Sequence, residues 1–562
     1  MRTALLSAAA CVGLLLGCGP DRLVDVSDPG AVGPGEPVEP VEPGEPNPVS
    51  DLPREEWRPL QTELLEYALD IAEPDWERLL ANEDAEDYWV PGRFTYDGRS
   101  WSVEVRLRGK STRAHPKKSF QVRFPKDDKF FGRARLELMA EYRDSGQLTE
   151  KLWWDLAAAA GLMVPQATYV NLTINDAYYG VMTQVERVDK AFLVAHGRHP
   201  DGSVYRAGHY DGELRHIPAL EYQDPWEKRT NESEPFDELW AFLHDISRTP
   251  AHELEDTLEQ QMELDAYITW MAVDALIAND LIMDARPFLI RDGGTRKWIY
   301  VPWDLNNANS TYSRLEDLNQ WNGAERPLVN FTIYDRYAYD LAEERTAIGY
   351  AEDMRPTWSV LSTRIVDDAR LRERFIARTR ELIDSHFTEE VLGARIDEME
   401  RLLAPHVSRD PYADQAFVAR SSDFLKGFIR DRRAFLATAL EEVERHDEKP
   451  WRILRVGVDV TGGQFVQIVN ASNQRLSLQG LKLTSVLRNA EQGQTLRSIQ
   501  VEPGEWVTLS SGATSASERL EITFDPAEAE IGLFAEDART ALDASFVPPL
   551  TPGQSYGLTG PE

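Results

Sequence analysis

The chain has 562 residues and a formal net charge of -34, from 95 Asp and Glu against 61 Lys and Arg. That balance suits solubility and argues against nucleic acid as a partner. Its length allows two or three domains, and its 2 cysteines leave no room for a cysteine-built metal site.

In chain order, "MRTALLSAAACVGLLLGC" comes first: a basic start at Arg2, an apolar run from Ala4 to Leu16, then Gly17 and Cys18. Residues 1–18 read as an export signal, too short to span a bilayer. The ending "LLLGC" resembles a bacterial lipobox, in which Cys18 becomes the lipidated first residue; the alternative is an ordinary signal that contains a cysteine. Cys11 would leave with the signal, so the remaining thiol would be acylated and no disulfide framework is possible. Gly19, rather than an Asp, follows Cys18, which points to the outer membrane. Residues 19–54 are rich in Pro, Gly and Glu and read as an extended, self-repelling tether that lifts the rest off the membrane.

From residue 55 the composition is globular, and residues 55–449 form the first large domain. "SWSVEVRLRG" and "SFQVRF" alternate apolar and polar residues and predict strands, joined by a turn at Gly109 and Pro116. "LTEKLWWDLAAAAGL" puts Leu148, Leu152 and Leu156 at helical spacing and stops at Gly161. "ATYVNLTINDAYYGVMTQVERV" predicts a hairpin turning at Asn175-Asp176. Strand, strand, helix, hairpin is also the order of a kinase N-lobe.

Within this region "RLRGKSTRAHPKKSFQVRF" places seven Lys and Arg in nineteen positions of an acidic chain. Either it is a solvated strand or it meets something anionic, such as phosphate. Lys118 shares parity with Phe120, Val122 and Phe124, so it starts on the inward face, and Lys117 points the other way. A lysine so placed could reach nucleotide phosphates.

Further on, the helix "LDAYITWMAVDALIAND" runs into Asp280, and the hairpin "PFLIR", "DGGT", "KWIYVPW" delivers Asp304 straight after a strand. Two carboxylates flanking a hairpin suit phosphoryl transfer: one orients and deprotonates a hydroxyl, the other holds a metal that bridges phosphates. As plain structure, both would be turn residues. Residues 353–446 follow a helical pattern, and "RDRR" at 430–433 is either a phosphate contact or the wet face of a helix. From Trp451 short alternating strands broken by Gly and Asn predict a β-sandwich over 450–562, and removing it should leave a folded core.

"RLRGKSTRAHPKKSFQVRF", "EKLWWDLAAAAGLMVPQATYVNLTIN", "YYGVMTQVERVDKAFL", "GSVYRAG" and "KWIYVPWDLN" resemble, in order, the signature blocks of the CotH kinase family, atypical kinases related to a spore-coat protein. The resemblance implies an α+β fold with a divergent protein-kinase-like core and a helical C-lobe, which binds ATP with Mg²⁺ or Mn²⁺ and phosphorylates protein hydroxyls. It implies that Lys117, Lys118 and Glu186 contact ATP, that Asp280 is catalytic and assists at the metal, and that Asp304 is the metal ligand. Arg108 and Gly109 match the block's opening "RG", as structural residues.

Two departures touch the metal. The Asn that family members carry after the first Asp is missing from "LIMDARPF", where Asp284 offers an oxygen but Arg286 would repel a cation. Asn306 replaces a carboxylate in "WDLN". "QFVQIVNASNQRLSLQGLKLT" and "VEPGEWVTLS" resemble a lamin-tail domain, an immunoglobulin-like module. The expectation is an exported, lipid-anchored kinase acting on surface or envelope proteins; the alternative is a catalytically inactive pseudokinase that serves as a binding scaffold.

Overall fold

The first strands close on themselves. In the computed structural model, which describes residues 57–81, 88–109, 111–208, 214–216, 226–279, 286–308, 323–329, 331–340 and 358–557, seven strands form a barrel. They are β1 (Leu65–Asp70), β2 (Val90–Tyr96), β3 (Arg99–Arg108), β4 (Ser119–Arg123), β5 (Arg135–Met139), β6 (Ala167–Ile174) and β7 (Ala177–Val185). The order is β1-β2-β3-β4-β5-β7-β6, and β6 pairs in parallel with β1 to close it. Alternation does the sorting: Trp101, Val103, Val105 and Leu107 of β3 point inward, as do Phe120 and Val122 of β4. Inside, Tyr67, Phe94, Trp101, Phe124 and Phe130 pack mostly edge to face. The β6–β7 turn falls at Asn175 (φ 49°) and Asp176 (φ 65°), both left-handed, as a two-residue hairpin turn requires.

Helix α1 is Glu73–Ala81, and α2, Thr149–Ala159, runs between β5 and β6 with every residue buried. Its end is a left-handed Gly161 (φ 82°), with Leu162 N donating back to the Ala157 carbonyl. After β7 come α3 (Lys190–Ala195), β8 (Ser203–Arg206), β9 (Glu227–Lys228), α4 (Asp237–Arg248), α5 (Ala251–Gln261) and α6 (Leu264–Leu276). Then β10 (Phe288–Arg291) and β11 (Trp298–Val301) complete a second sheet in the order β11-β10-β8-β9. Among the described residues four more helices follow: α7 (Val360–Asp367), α8 (Ala369–Ser385), α9 (Glu389–Val407) and α10 (Gln415–Glu444). This is the expected α+β core with a helical second half.

The "RDRR" stretch on α10 is divided. Arg430 is exposed, but Arg432 is fully buried and donates to the carbonyls of Ala275 at 3.2 Å and Ala324 at 3.0 Å. It satisfies the open carbonyl end of α6. Neither a wet face nor a phosphate contact describes Arg432, because sequence periodicity does not show which helix end lies opposite.

Residues 451–557 build two four-stranded antiparallel sheets and a two-stranded one, Leu476–Ser477 with Gln500–Val501. One four-stranded sheet runs Trp506–Ser510, Gln464–Asn470, Trp451–Val458, Ser555–Gly557; the other runs Gln494–Thr495, Lys482–Thr484, Glu530–Phe534, Ala541–Phe546. This β-rich part is not an appendage. Leu487, Phe534 and Phe546 belong to the same apolar cluster as the helical core, and Phe546 lies 6.2 Å from the ring of Trp358. Arg248 donates to the Ala529 carbonyl at 3.0 Å, and Arg215 pairs with Glu530 at 3.0 Å. The composition change at residue 450 thus marks a change of secondary structure and not an end of the core.

Candidate functional site

Between the barrel and the second sheet lies an apolar wall of Met139, Val185, Phe288, Val301 and Trp303. The polar residues around it come from the outer side of the barrel strands and from the turn after β11. Asp304 sits there in a left-handed conformation (φ 66°), at the start of a short 3₁₀ turn, Leu305–Asn307. Such a backbone is uncommon outside Gly and is tolerated by Asp. Asp280 itself lies outside the described residues, as do Asp284 and Cys18. Its neighbour Asn279 is described: it forms an antiparallel bridge with Ala308, and its Nδ2 donates to Asp274 at 2.8 Å. The end of α6 is therefore tied to the segment that carries Asp304.

Two carboxylic acids that sequence reasoning passed over lie against Asp304. Glu141 follows β5 with a left-handed φ of 43°, on a turn that Gln147 braces by donating to the Ala140 carbonyl at 3.0 Å and the Asp144 carbonyl at 3.2 Å. Glu150 projects from the first turn of α2; its Oε1 accepts from Trp154 Nε1 at 3.3 Å. Burial, Glu150, Asp144 and Asp304 push the Glu141 carboxyl well above its ordinary range. Burial, with Asp304 adding to it, also raises Glu150. The only sequence signal was Glu150 in the first turn of a helix that is largely apolar, which reads equally well as a favourable first-turn charge.

The two lysines of "PKKS" are both turned to protein partners. Lys117 is 3% exposed; its Nζ donates to Asp410 Oδ2 at 2.8 Å and to the Val181 carbonyl at 2.5 Å. The same Asp410 oxygen accepts from Val181 N at 3.0 Å. Gly180 (φ 132°) leaves room for this approach, since a Cβ there would lie 2.3 Å from Asp410 Oδ2. Lys118 Nζ donates to the Arg113 carbonyl, and its backbone N donates to the Tyr179 hydroxyl at 2.6 Å. The parity argument therefore needs correcting: the face shared by Phe120, Val122 and Phe124 is the barrel's apolar interior, not the cleft.

The opposite face of the same strands carries the polar groups. Arg108 Nε donates to Glu137 Oε2 at 2.5 Å, Arg187 pairs with Glu137 Oε1 at 2.8 Å, and the Arg108 guanidinium lies 5.7 Å from the Trp303 ring centre. Burial alone would raise Glu137, but Arg108, Arg187 and a bond from Gln121 hold it below the ordinary carboxylate range. Glu186, at the end of β7, is also buried: it accepts from His196 Nε2 at 3.2 Å, Arg133 at 3.4 Å and Gln166 N at 3.2 Å. Burial would raise its carboxyl, and these partners outweigh that and lower it. Arg286, which the sequence suggested would repel a cation, bonds to the Ala207 carbonyl at 2.9 Å and to Glu227 at 3.2 Å.

Asp304, Glu141 and Glu150 offer only oxygen, and the Glu141 and Glu150 carboxyls hydrogen-bond to each other. Among the described residues no group of three His, Cys, Asp or Glu side chains is arranged to hold a metal ion by itself. Mg²⁺ in phosphoryl-transfer sites is held by one or two carboxylates together with phosphate oxygens.

The α+β core thus carries an acidic turn after a strand, with an apolar wall and arginines beside it. The sequence profile of the CotH kinase proteins matches residues 105–436, more than half of the chain, so this protein belongs to the CotH kinase family, a family of atypical kinases. The inner spore coat protein H of Bacillus subtilis (strain 168) is 24% identical over 362 residues, covering 62% of this chain and 91% of that protein. A Helicobacter pylori proinflammatory kinase, CtkA, aligns over 61% of this chain and 94% of its own at 9% identity, with a TM-score of 0.26, too low to bear on the fold.

Proposed function

We propose that this protein is an exported, lipid-anchored kinase that transfers the γ-phosphate of ATP to hydroxyls of surface or envelope proteins. The reading rests on one observation above the others: the bridge between Asn279 and Ala308, which joins the chain leading to Asp280 with the chain leaving Asp304. In this reading Asp280 orients and deprotonates the substrate hydroxyl and assists at the metal. Asp304, with Glu141 and Glu150 beside it, holds Mg²⁺ or Mn²⁺. When bound, the cation neutralises charge on the transferring phosphoryl group. Glu186, Lys117 and Lys118 frame the nucleotide side, acting through the backbone they brace. The lipidation site is Cys18, with the outer membrane as the address.

The second reading, a silent scaffold, draws on Asn306 and Ala285, which stand where the resemblance leads one to expect metal-binding side chains. Calorimetric titration of ATP–Mg²⁺ separates the two. Asp304→Ala should weaken binding, because it removes a carboxylate from the cation. Asp280→Asn should spare binding and lower phosphoryl transfer to a protein acceptor by roughly 10²–10⁴-fold, since a general base acts on the chemical step. Binding without any turnover in the wild type would leave the scaffold.

A further inference from the structure

The "VYRAG" block ends β8 at Arg206, and among the described residues no carboxylate forms an ion pair with it, Glu227 opposite it being held by other arginines. Its Nε is buried without a hydrogen-bond acceptor, and its guanidinium lies 5.9 Å from the ring centre of Phe288, its register partner on β10. Phe288 in turn meets Trp303 edge to face at 5.4 Å, and Arg108 covers Trp303 from the barrel side. Two guanidiniums thus flank one aromatic wall, and the residue after Trp303 is Asp304.

The surrounding charge is unbalanced. Glu227, opposite Arg206 in the β8–β9 register, is shared by Arg229 and Arg286, while Arg108 shares Glu137 with Arg187. Burial, and then the nearby charges of Arg286, Arg229 and Arg108, push Arg206 down to about 9. Among the described residues, five arginines (Arg108, Arg187, Arg206, Arg229 and Arg286) share two carboxylates (Glu137 and Glu227), an arrangement an oxyanion would relieve.

We propose that Arg206, with Arg108, Arg229 and Arg286, forms a polyphosphate-binding site on the cleft wall that takes the phosphate chain of a nucleotide. The assignment rests on the kinase reading for its ligand, and it gives the phosphate contact to arginines on the outer face of the sheets. Arg206 supplies a planar fork whose Nε has no acceptor, a geometry that suits two phosphate oxygens at once. Lys117 and Lys118 keep the strand in place behind it.

The test uses the full chain, with Mg²⁺–ATP and sodium tripolyphosphate as separate titrants. Arg206→Met keeps an apolar stem against Phe288 and removes the charge. It should raise the Kd for both titrants by about 10–100-fold, the loss expected for one charge-assisted contact. Arg455→Ala, an exposed arginine on the β-sandwich, should change neither. If the wild type binds tripolyphosphate, Arg206→Met loses it and ATP never binds, the anion site stands while the nucleotide source and the kinase reading fall. If Arg206→Met binds both titrants like the wild type, the site falls and the kinase reading survives. A wild type that binds neither overturns the site and the kinase reading together. Thermal unfolding checks that the variant is folded. Should it not be, Arg206→Lys keeps the charge without the fork and is expected to bind severalfold more weakly; binding equal to the wild type would overturn the proposal.

Discussion

Lys117 and Asp410 give a direct way to separate a phosphate ligand from a buried clasp. Their side chains are 3% and 2% exposed and meet at 2.8 Å, joining the start of β4 to the loop between α9 and α10. Asp410→Ala leaves the ammonium with only the Val181 carbonyl, frees Val181 N, and removes the acceptor for Tyr412 N at 2.9 Å. Cutting one partner from a buried pair costs about 3–5 kcal/mol. Lys117→Met should cost less, because Asp410 keeps two backbone donors. The double variant Lys117→Met, Asp410→Leu should recover much of the loss, since an apolar pair of similar volume needs no desolvation. Urea unfolding followed by tryptophan fluorescence reads the stability, and calorimetry with Mg²⁺–ATP at low urea reads the ligand. The clasp predicts a lower unfolding midpoint for both single variants and unchanged nucleotide affinity in the folded protein. A Lys117→Met protein that unfolds like the wild type yet binds ATP tenfold more weakly would refute it.

Removing residues 450–562 should leave an aggregating or partly unfolded fragment, because Trp358 and Tyr339 lose their cover; uncovering each large apolar side chain costs about 1.5–3 kcal/mol, and light scattering with circular dichroism reads the result. Asp367 accepts from Tyr334 at 2.7 Å and His446 at 2.8 Å; burial would raise its carboxyl, but Lys449 and these bonds hold it well below its usual 3.8. A depressed carboxyl stabilises above its unfolded pKa and loses that contribution as pH falls through the folded value, so Asp367→Asn should lower the melting temperature at pH 7 and flatten the acid limb below about pH 4. Cys18→Ser should release the protein from membranes or leave its signal uncleaved; fractionation identical to the wild type would exclude lipidation at Cys18.

The sequence by itself set the elements whose cause is local. Helix α2 and its Gly161 stop, the Asn175-Asp176 hairpin, the β10–β11 hairpin and the β-rich final segment all follow from spacing and turn chemistry, which neighbouring residues settle among themselves. The signature blocks also carried the family. Tertiary structure decided which face of a strand is outside and who meets whom. Alternation separated Lys118 from Lys117 but could not tell a barrel interior from a cleft, since both bury one side of a strand. Asp410 lies 293 residues from Lys117, and nothing near either predicts the contact. Glu141 and Glu150 become notable only beside Asp304, and Arg206 only because chain closure left it among other arginines with too few carboxylates. Charge in a sequence is a sum, whereas a site depends on distance, and distance between remote residues is set when the sheets and helices pack.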